Sequence, residues 1–260
     1  MQFSKFVAAA IVATFALSGG TVAATVNGTG NVTNNVIFGA GNANGSFTGV
    51  RVGSLELALR GKLRYDASHG CAGGFGCPQN QFNYAHGDSY TFQSAQSNAP
   101  ANRSIFNFEW SINSNADGMG VALSTYSYRL DIDTDPTVNV GNQVSYNPLS
   151  ILSTGYYLGT NASPPGGARF RPGGTGNLAS YTLAQNSVNL GFLPGTNLGH
   201  GQFTIRLSAF AGSGGPLVGT TAIRVNVDAP APVPLPAGAG LMAAALAGLG
   251  ATRRKKARRS

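Results

Sequence analysis

The chain has 260 residues and a formal net charge of +8, but most of the excess charge lies at its C-terminal end. Six of the 17 Lys and Arg residues lie among the last eight positions, and Lys5 lies near the start. The other ten basic residues stand against all nine acidic ones, a net charge of +1. A nearly neutral body lacks the basic surface of a nucleic-acid-binding protein, so we expect no nucleic-acid partner.

The first 24 residues have the features of a secretory signal peptide. Lys5 precedes an apolar run over residues 6–17, and cleavage is expected after Ala23 or Ala24. The apolar run is too short for a membrane-spanning helix, which needs about 20 residues. We therefore predict export through the Sec pathway and removal of residues 1–24.

Composition predicts a β-rich body over residues 25–228. The chain has 37 Gly and only 10% charged residues, which suits short strands joined by tight turns better than long helices. This length is compatible with a single domain.

Three segments alternate apolar and polar residues with the period of a strand. Residues 106–113 place Phe106, Phe108, Trp110 and Ile112 on one face, and residues 126–133 and 55–65 repeat the pattern. Each pattern predicts an apolar face turned inward and a polar face turned to solvent. About eight such segments separated by turns favour an antiparallel β-sandwich of the jelly-roll or Ig-like type.

The C-terminal end has three parts in a fixed order. Residues 229–236 are rich in proline and predict an extended linker. Residues 237–252 are almost wholly apolar and predict a transmembrane helix, although at ~1.5 Å per residue it is shorter than the ~30 Å hydrocarbon core. Residues 253–260 form a basic tail that the positive-inside rule keeps in the cytoplasm.

Together these parts resemble the VPLPA variant of the PEP-CTERM sorting signals found in Gram-negative bacteria. The motif consists of Val233, Pro234, Leu235, Pro236 and Ala237. The resemblance implies that an exosortase, a membrane-embedded cysteine transpeptidase, recognises the motif and removes the helix and tail. It also implies transient anchoring in the inner membrane, followed by transfer to the cell surface or the extracellular medium.

The two cysteines, Cys71 and Cys77, lie in one Gly-rich segment. In an exported protein this spacing predicts a small disulfide-closed loop. Closing so short a loop stabilises the fold by only about 2 kcal/mol. The alternative is a metal site completed by His69 and His86.

The most suggestive polar group comprises Asp131, Asp133 and Asp135. Alternate spacing places these carboxylates on one face of a strand end, and converging oxygens suit calcium, the only cofactor that the sequence suggests. The alternative is that Asp131 and Asp133 face solvent and pair with Arg129 or another basic residue, while Asp135 begins a turn.

No motif predicts catalysis, and we expect that the protein is not an enzyme. There is no GxSxG sequence, and His200 lies in a Gly-rich segment, as do the other histidines. A glycosidase pair could be sought only in Glu56 and Glu109, on the predicted outer faces of strands.

Two functional hypotheses follow. The first is a non-catalytic surface or matrix protein associated with biofilm exopolysaccharide. The second is a calcium-assisted carbohydrate-binding module that uses aromatic residues in loop-like segments: Phe75, Phe82, Tyr84, Tyr156 and Tyr157. Alternatively, these rings fill the ends of the sandwich.

Overall fold

The structure, a computed structural model, is built from β-strands. It describes residues 26–27, 36–38, 47–65, 85–86, 89–137, 139–150, 155–164, 169–171, 177–193 and 199–228. The strands in these ranges are β1 (Val26–Asn27), β2 (Thr48–Val52), β3 (Leu55–Leu63), β4 (Ala85–His86), β5 (Ser89–Phe92), β6 (Phe106–Asn113), β7 (Tyr126–Asp133), β8 (Gln143–Tyr146), β9 (Tyr156–Gly159), β10 (Arg169–Arg171), β11 (Leu183–Asn189), β12 (Gly201–Ala211) and β13 (Leu217–Val227). Short 3-10 helices occupy Ser94–Gln96, Leu123–Thr125, Leu178–Ser180 and Leu190–Phe192. The all-β prediction is confirmed for this part of the chain.

The strands form two sheets. The seven-stranded sheet has the order β1-β2-β3-β6-β11-β9-β10, and each neighbouring pair is antiparallel. The six-stranded sheet has the order β4-β5-β13-β12-β7-β8, in which β5 and β13 pair in parallel. The prediction of purely antiparallel sheets is therefore wrong at this pair. Parallel neighbours need a long crossover connection, and residues 93–216 lie between β5 and β13.

The apolar faces of the two sheets pack together and form one core. Trp110 from the first sheet and Ile205 from the second are both completely buried in it. The rings of Phe92 and Phe106 stack across the two sheets with centroids 5.3 Å apart. The inward apolar faces predicted for β3, β6 and β7 are confirmed, with Tyr126 packed at the margin. The exception is Tyr65, the last residue of the predicted 55–65 face, which lies beyond the end of β3 and is only half-buried.

The polar faces of β3 and β6 are buried, contrary to the prediction that they face solvent. The residues involved are Glu56, Arg60, Lys62, Asn107, Glu109, Ser111 and Asn113. Residues 36–38 and Phe47, which we call the outer cover, pack on this side of the seven-stranded sheet. The backbone N–H of Ile37 donates to Oε1 of Gln185 on β11 over 2.9 Å. The cover forms an additional layer, and this is why the alternating pattern did not predict exposure correctly.

Several predicted features lie outside the described residues. These are the signal peptide with Ala23 and Ala24, the cysteines Cys71 and Cys77, and residues 229–260, which include the sorting motif, the apolar run and the basic tail. None of the helical segments within the described ranges has the length and apolar character needed to cross a membrane.

Candidate binding site at the edge of the six-stranded sheet

Asp131 and Asp133 lie on the outer face of β7, as their alternate spacing predicts. Both are almost completely buried, however, and the expectation of solvent-facing carboxylates is wrong. Asp135 follows the end of the strand and is half-buried.

The carboxylate of Asp131 is bonded through both of its oxygens. Its Oδ2 accepts a hydrogen bond from Nε of Arg129 over 3.0 Å, and its Oδ1 accepts one from Oγ of Ser145 on β8 over 2.6 Å. The pairing of Asp131 with Arg129, one of the two alternatives drawn from the sequence, is therefore present. The bond from Ser145 joins β8 to β7 on the outer face of the sheet, and the bond from Arg129 lies within β7.

Asp133 and Asp135 hold the loop that follows β7. Oδ1 of Asp133 accepts from the backbone N–H groups of Asp135 and Gly141, each over 3.1 Å. Oδ1 of Asp135 accepts from the N–H of Thr137 over 2.9 Å, as in a side-chain-stabilised turn. No group of three or more His, Cys, Asp or Glu residues within the described ranges is placed to hold a metal ion.

A depression of about 480 Å³ opens beside this network. β8 ends at Tyr146, opposite Leu130, so in the described structure residues 126–129 of β7 have no neighbouring strand on that side. The side chains and backbone that line the depression include Ser127, Arg129, Ser145, Tyr146, Asn147 and Phe210. Its volume falls in the range of roughly 300–1,000 Å³ that is typical of small-ligand sites.

Arg129 is the charged residue of the depression. Its side chain is 52% exposed, and its guanidinium carbon lies 5.3 Å from the ring centroid of Phe210 on β12. Burial raises the pKa of Tyr146, so its phenol is a neutral hydroxyl at physiological pH. The depression therefore combines one cation, aromatic surface and small polar groups.

The turn between β12 and β13 forms one side of the depression and requires glycine. Gly214 has a φ of +72°, in the left-handed region. A β-carbon at Gly215 would lie 1.8 Å from the carbonyl oxygen of Ala211. A side chain at position 215 would therefore force this turn open.

Glu109, considered above as half of a glycosidase pair, is buried and engaged in ion pairs. Its Oε2 lies 2.5 Å from Nε of Arg60, and its Oε1 pairs with Nζ of Lys62. Glu56 is also buried. Neither carboxylate is accessible to a substrate, so this pair does not form a glycosidase site.

A group that the sequence did not suggest joins Ser94, His200 and Asp228. Nδ1 of His200 lies 2.5 Å from Oδ2 of Asp228, and this oxygen also accepts from the hydroxyl of Ser94. Catalytic serine requires a base that contacts its hydroxyl, whereas here the hydroxyl and the imidazole both contact the carboxylate. The N–H of Ser94 also donates to Oδ1 of Asp228 over 2.7 Å, so the group fixes the end of β13.

The aromatic residues proposed for sugar binding have different surroundings. Tyr156 and Tyr157 lie in β9, not in loops; Tyr156 is completely buried and Tyr157 packs against Phe38 of the outer cover, 5.8 Å between ring centroids. Phe75, Phe82 and Tyr84 lie outside the described residues. Phe210 and Tyr146, which do line the depression, carried no sequence signal for binding.

Comparisons with known proteins found no match. No protein-family model matches the chain, and neither the curated proteins nor the solved structures that were compared include a match.

Proposed function

We propose that this chain is an exported, non-catalytic protein of the cell surface or extracellular matrix, associated with exopolysaccharide and sorted by an exosortase-like enzyme. The observation that carries the proposal is the order of linker, apolar run and basic tail over residues 229–260. Cations after an apolar run keep that end in the cytoplasm, while the signal peptide directs the nearly neutral body outward. Two features of the fold support this arrangement.

The first feature is the end of the body itself. β13 ends at Val227, and Asp228 is held by Ser94 and by a hydrogen bond from its N–H to the carbonyl of Phe92 over 2.9 Å. The proline-rich stretch begins directly afterwards in the sequence. The sorting motif therefore follows a fixed end of the folded body.

The second feature is the use of polar side chains in the described part of the chain. Glu109 is buried between cations, Asp131 is bonded to Arg129 and Ser145, and Asp228 bonds both Ser94 and His200. These roles are structural, which supports a non-catalytic protein. Within this proposal the two packed sheets form a sandwich of the jelly-roll or Ig-like type, with one parallel pair.

Two matched double variants test the sorting motif. Pro234→Ala with Pro236→Ala changes the motif, whereas Pro230→Ala with Pro232→Ala changes the same number of prolines before it. In the native host, the motif variant should accumulate in the inner membrane, and the control should reach the cell surface or medium like the unmodified chain. If both variants are distributed equally among the cell fractions, the motif is not recognised by a sorting enzyme.

A second candidate function is a calcium-assisted carbohydrate-binding module. Its carbohydrate-binding part is favoured by the depression, where the exposed Arg129 lies beside the ring of Phe210; calcium would need ligands other than Asp131, whose two oxygens are already bonded. A glycan array measured with and without EDTA tests it. Specific binding that EDTA abolishes would support this candidate over the first.

A further inference from the structure

We propose that the depression beside Arg129 binds a carboxylate-bearing sugar, such as a uronic acid unit of an extracellular polysaccharide, without a metal ion. The inference rests on the proposed function in one respect: both take exopolysaccharide as the partner. It names the chemical class of the ligand and the residue that would recognise it.

Arg129 has free hydrogen-bonding capacity. Its Nε donates to Asp131, while its two Nη atoms have no hydrogen-bond partner among the described residues. The guanidinium is planar, and two of its N–H groups can hold both oxygens of a carboxylate. Arg129 therefore presents a carboxylate-binding group at the wall of the depression.

The guanidinium of Arg129 is held in position before any ligand binds. Asp131 holds Nε and is itself held by Ser145, and the ring of Phe210 lies beside the guanidinium carbon. Contacts on two sides restrict the rotamers of a long side chain. Less conformational entropy is then lost on binding, which increases the affinity for a ligand of the right shape.

The remaining surface of the depression is partly aromatic and partly polar. Phe210 offers aromatic surface, and Ser127, Tyr146 and Asn147 also line the depression. A pyranose ring has apolar C–H faces and hydroxyls at its edge, so it matches a site with both kinds of surface. A simple inorganic anion would leave the aromatic surface uncovered.

The charge on the outer face of the six-stranded sheet also favours an anionic ligand. The described strands of this face carry Arg129, Arg206 and Arg224 against Asp131 and Asp133, and Arg206 is the cross-strand neighbour of Asp131. Asp131 and Asp133 are almost completely buried, and Arg129 is the charged residue that lines the depression, so a ligand there meets a positive charge. Since both oxygens of Asp131 are already bonded within the protein, a bridging cation is not required.

The test is calorimetric titration of the full chain, purified in a mild detergent, with four probes. Polygalacturonate carries carboxylates on sugar rings, dextran is neutral, dextran sulfate carries sulfates, and poly-glutamate carries carboxylates without sugar. The chain should bind polygalacturonate most tightly, and EDTA should leave its affinity unchanged. Higher salt should weaken binding because the attraction is partly electrostatic.

Variants connect the binding to the depression. Arg129→Gln should weaken polygalacturonate binding by at least about tenfold, and Arg129→Lys by an intermediate factor, because lysine keeps the charge without the paired donors. Arg224→Gln is the matched control: it removes an exposed arginine of the same face and should change the affinity by less than about twofold. Thermal unfolding should show that all three variants remain folded.

Four outcomes would overturn the inference. They are absence of polygalacturonate binding, equal losses for Arg129→Gln and Arg224→Gln, tighter or equal binding of dextran sulfate or poly-glutamate, and loss of binding with EDTA. Each is measured on the purified chain, whereas the sorting proposal is tested by the fate of the motif variants in cells. Failure of one proposal is therefore distinguishable from failure of the other.

Discussion

Glu109 lies buried between two cations at the centre of the covered face of β6. Burial alone would raise the pKa of its carboxyl, but Lys62 and Arg60 together outweigh this effect and hold the pKa below its ordinary value. Burial lowers the pKa of the Lys62 ammonium, and the attraction of Glu109 opposes this only in part. The two cations thus hold the buried Glu109 carboxylate in its ionised form.

Removal of this carboxylate charge should destabilise the fold strongly. Glu109→Gln removes the carboxylate charge that both Arg60 and Lys62 contact in this buried cluster, which should cost about 3–5 kcal/mol in the free energy of unfolding. Urea unfolding followed by fluorescence measures it, since the single tryptophan, Trp110, lies in the core. The triple variant R60M/E109L/K62M should cost less than Glu109→Gln alone, because it removes the two buried cations together with the carboxylate. A larger cost for the triple variant would contradict this account.

The same residue predicts a dependence of stability on acid pH. In the unfolded chain Glu109 titrates near its ordinary value of 4.5, and in the folded chain its pKa is lower. Its ionised form therefore contributes full stability above pH 4.5, and this contribution is lost as the pH falls through the folded-state pKa. Thermal midpoints measured from pH 7 down to pH 3 should fall, and Glu109→Gln should fall less steeply. Parallel curves for the two proteins would contradict the prediction.

At the scale of elements, the outer cover determines the environment of the seven-stranded sheet. The ring of Phe47 is 1% exposed and lies 4.2 Å from the guanidinium carbon of Arg60. Cover and sheet together exclude water from the charged cluster beneath them.

A pair of phenylalanine variants tests the cover. Phe47→Ala opens a cavity above the cluster and should cost about 3–5 kcal/mol in the free energy of unfolding. Phe192 is the matched control, since Arg103 lies 4.0 Å from its ring centroid but Phe192 is 48% exposed. Phe192→Ala should cost no more than about 1 kcal/mol, the size of an exposed cation–π contact. Similar costs in urea unfolding would show that the cover does not stabilise the sheet.

The strands show how far the sequence could predict the fold. Alternation identified the inward faces of β3, β6 and β7, because a two-residue period fixes which side chains share a face. It could not show that residues 36–38 cover the opposite face, because that contact joins segments distant in sequence. Strands as short as β8, β9 and β10 span too few residues to display a period, and they were missed.

The candidate site shows the same limit. Asp131 was recognised from its spacing, and its pairing with Arg129 was one of the alternatives considered. The depression itself depends on where β8 ends and on the turn after β12, which bring Tyr146, Phe210 and Arg129 together. These positions depend on which strands pair with each other, and the alternation within a single strand does not determine its partner.

At the scale of the whole molecule, the proposed function depends on a predicted export signal before the folded body and a predicted sorting signal after it. The basic residues after position 252 and the apolar run before them favour one topology, with the two-sheet body outside the cytoplasm. The order of these segments is readable from sequence because each has a distinct composition. The ligand cannot be read from the sequence in this way, because it depends on which side chains the fold brings together.

Intact-mass spectrometry of the mature protein, recovered from its native host, tests the central claim most directly. The account predicts an N-terminus directly after Ala23 or Ala24 and a C-terminus near Pro236, without the apolar run and the basic tail. A mass that still includes both the first 24 residues and residues 237–260 would contradict it.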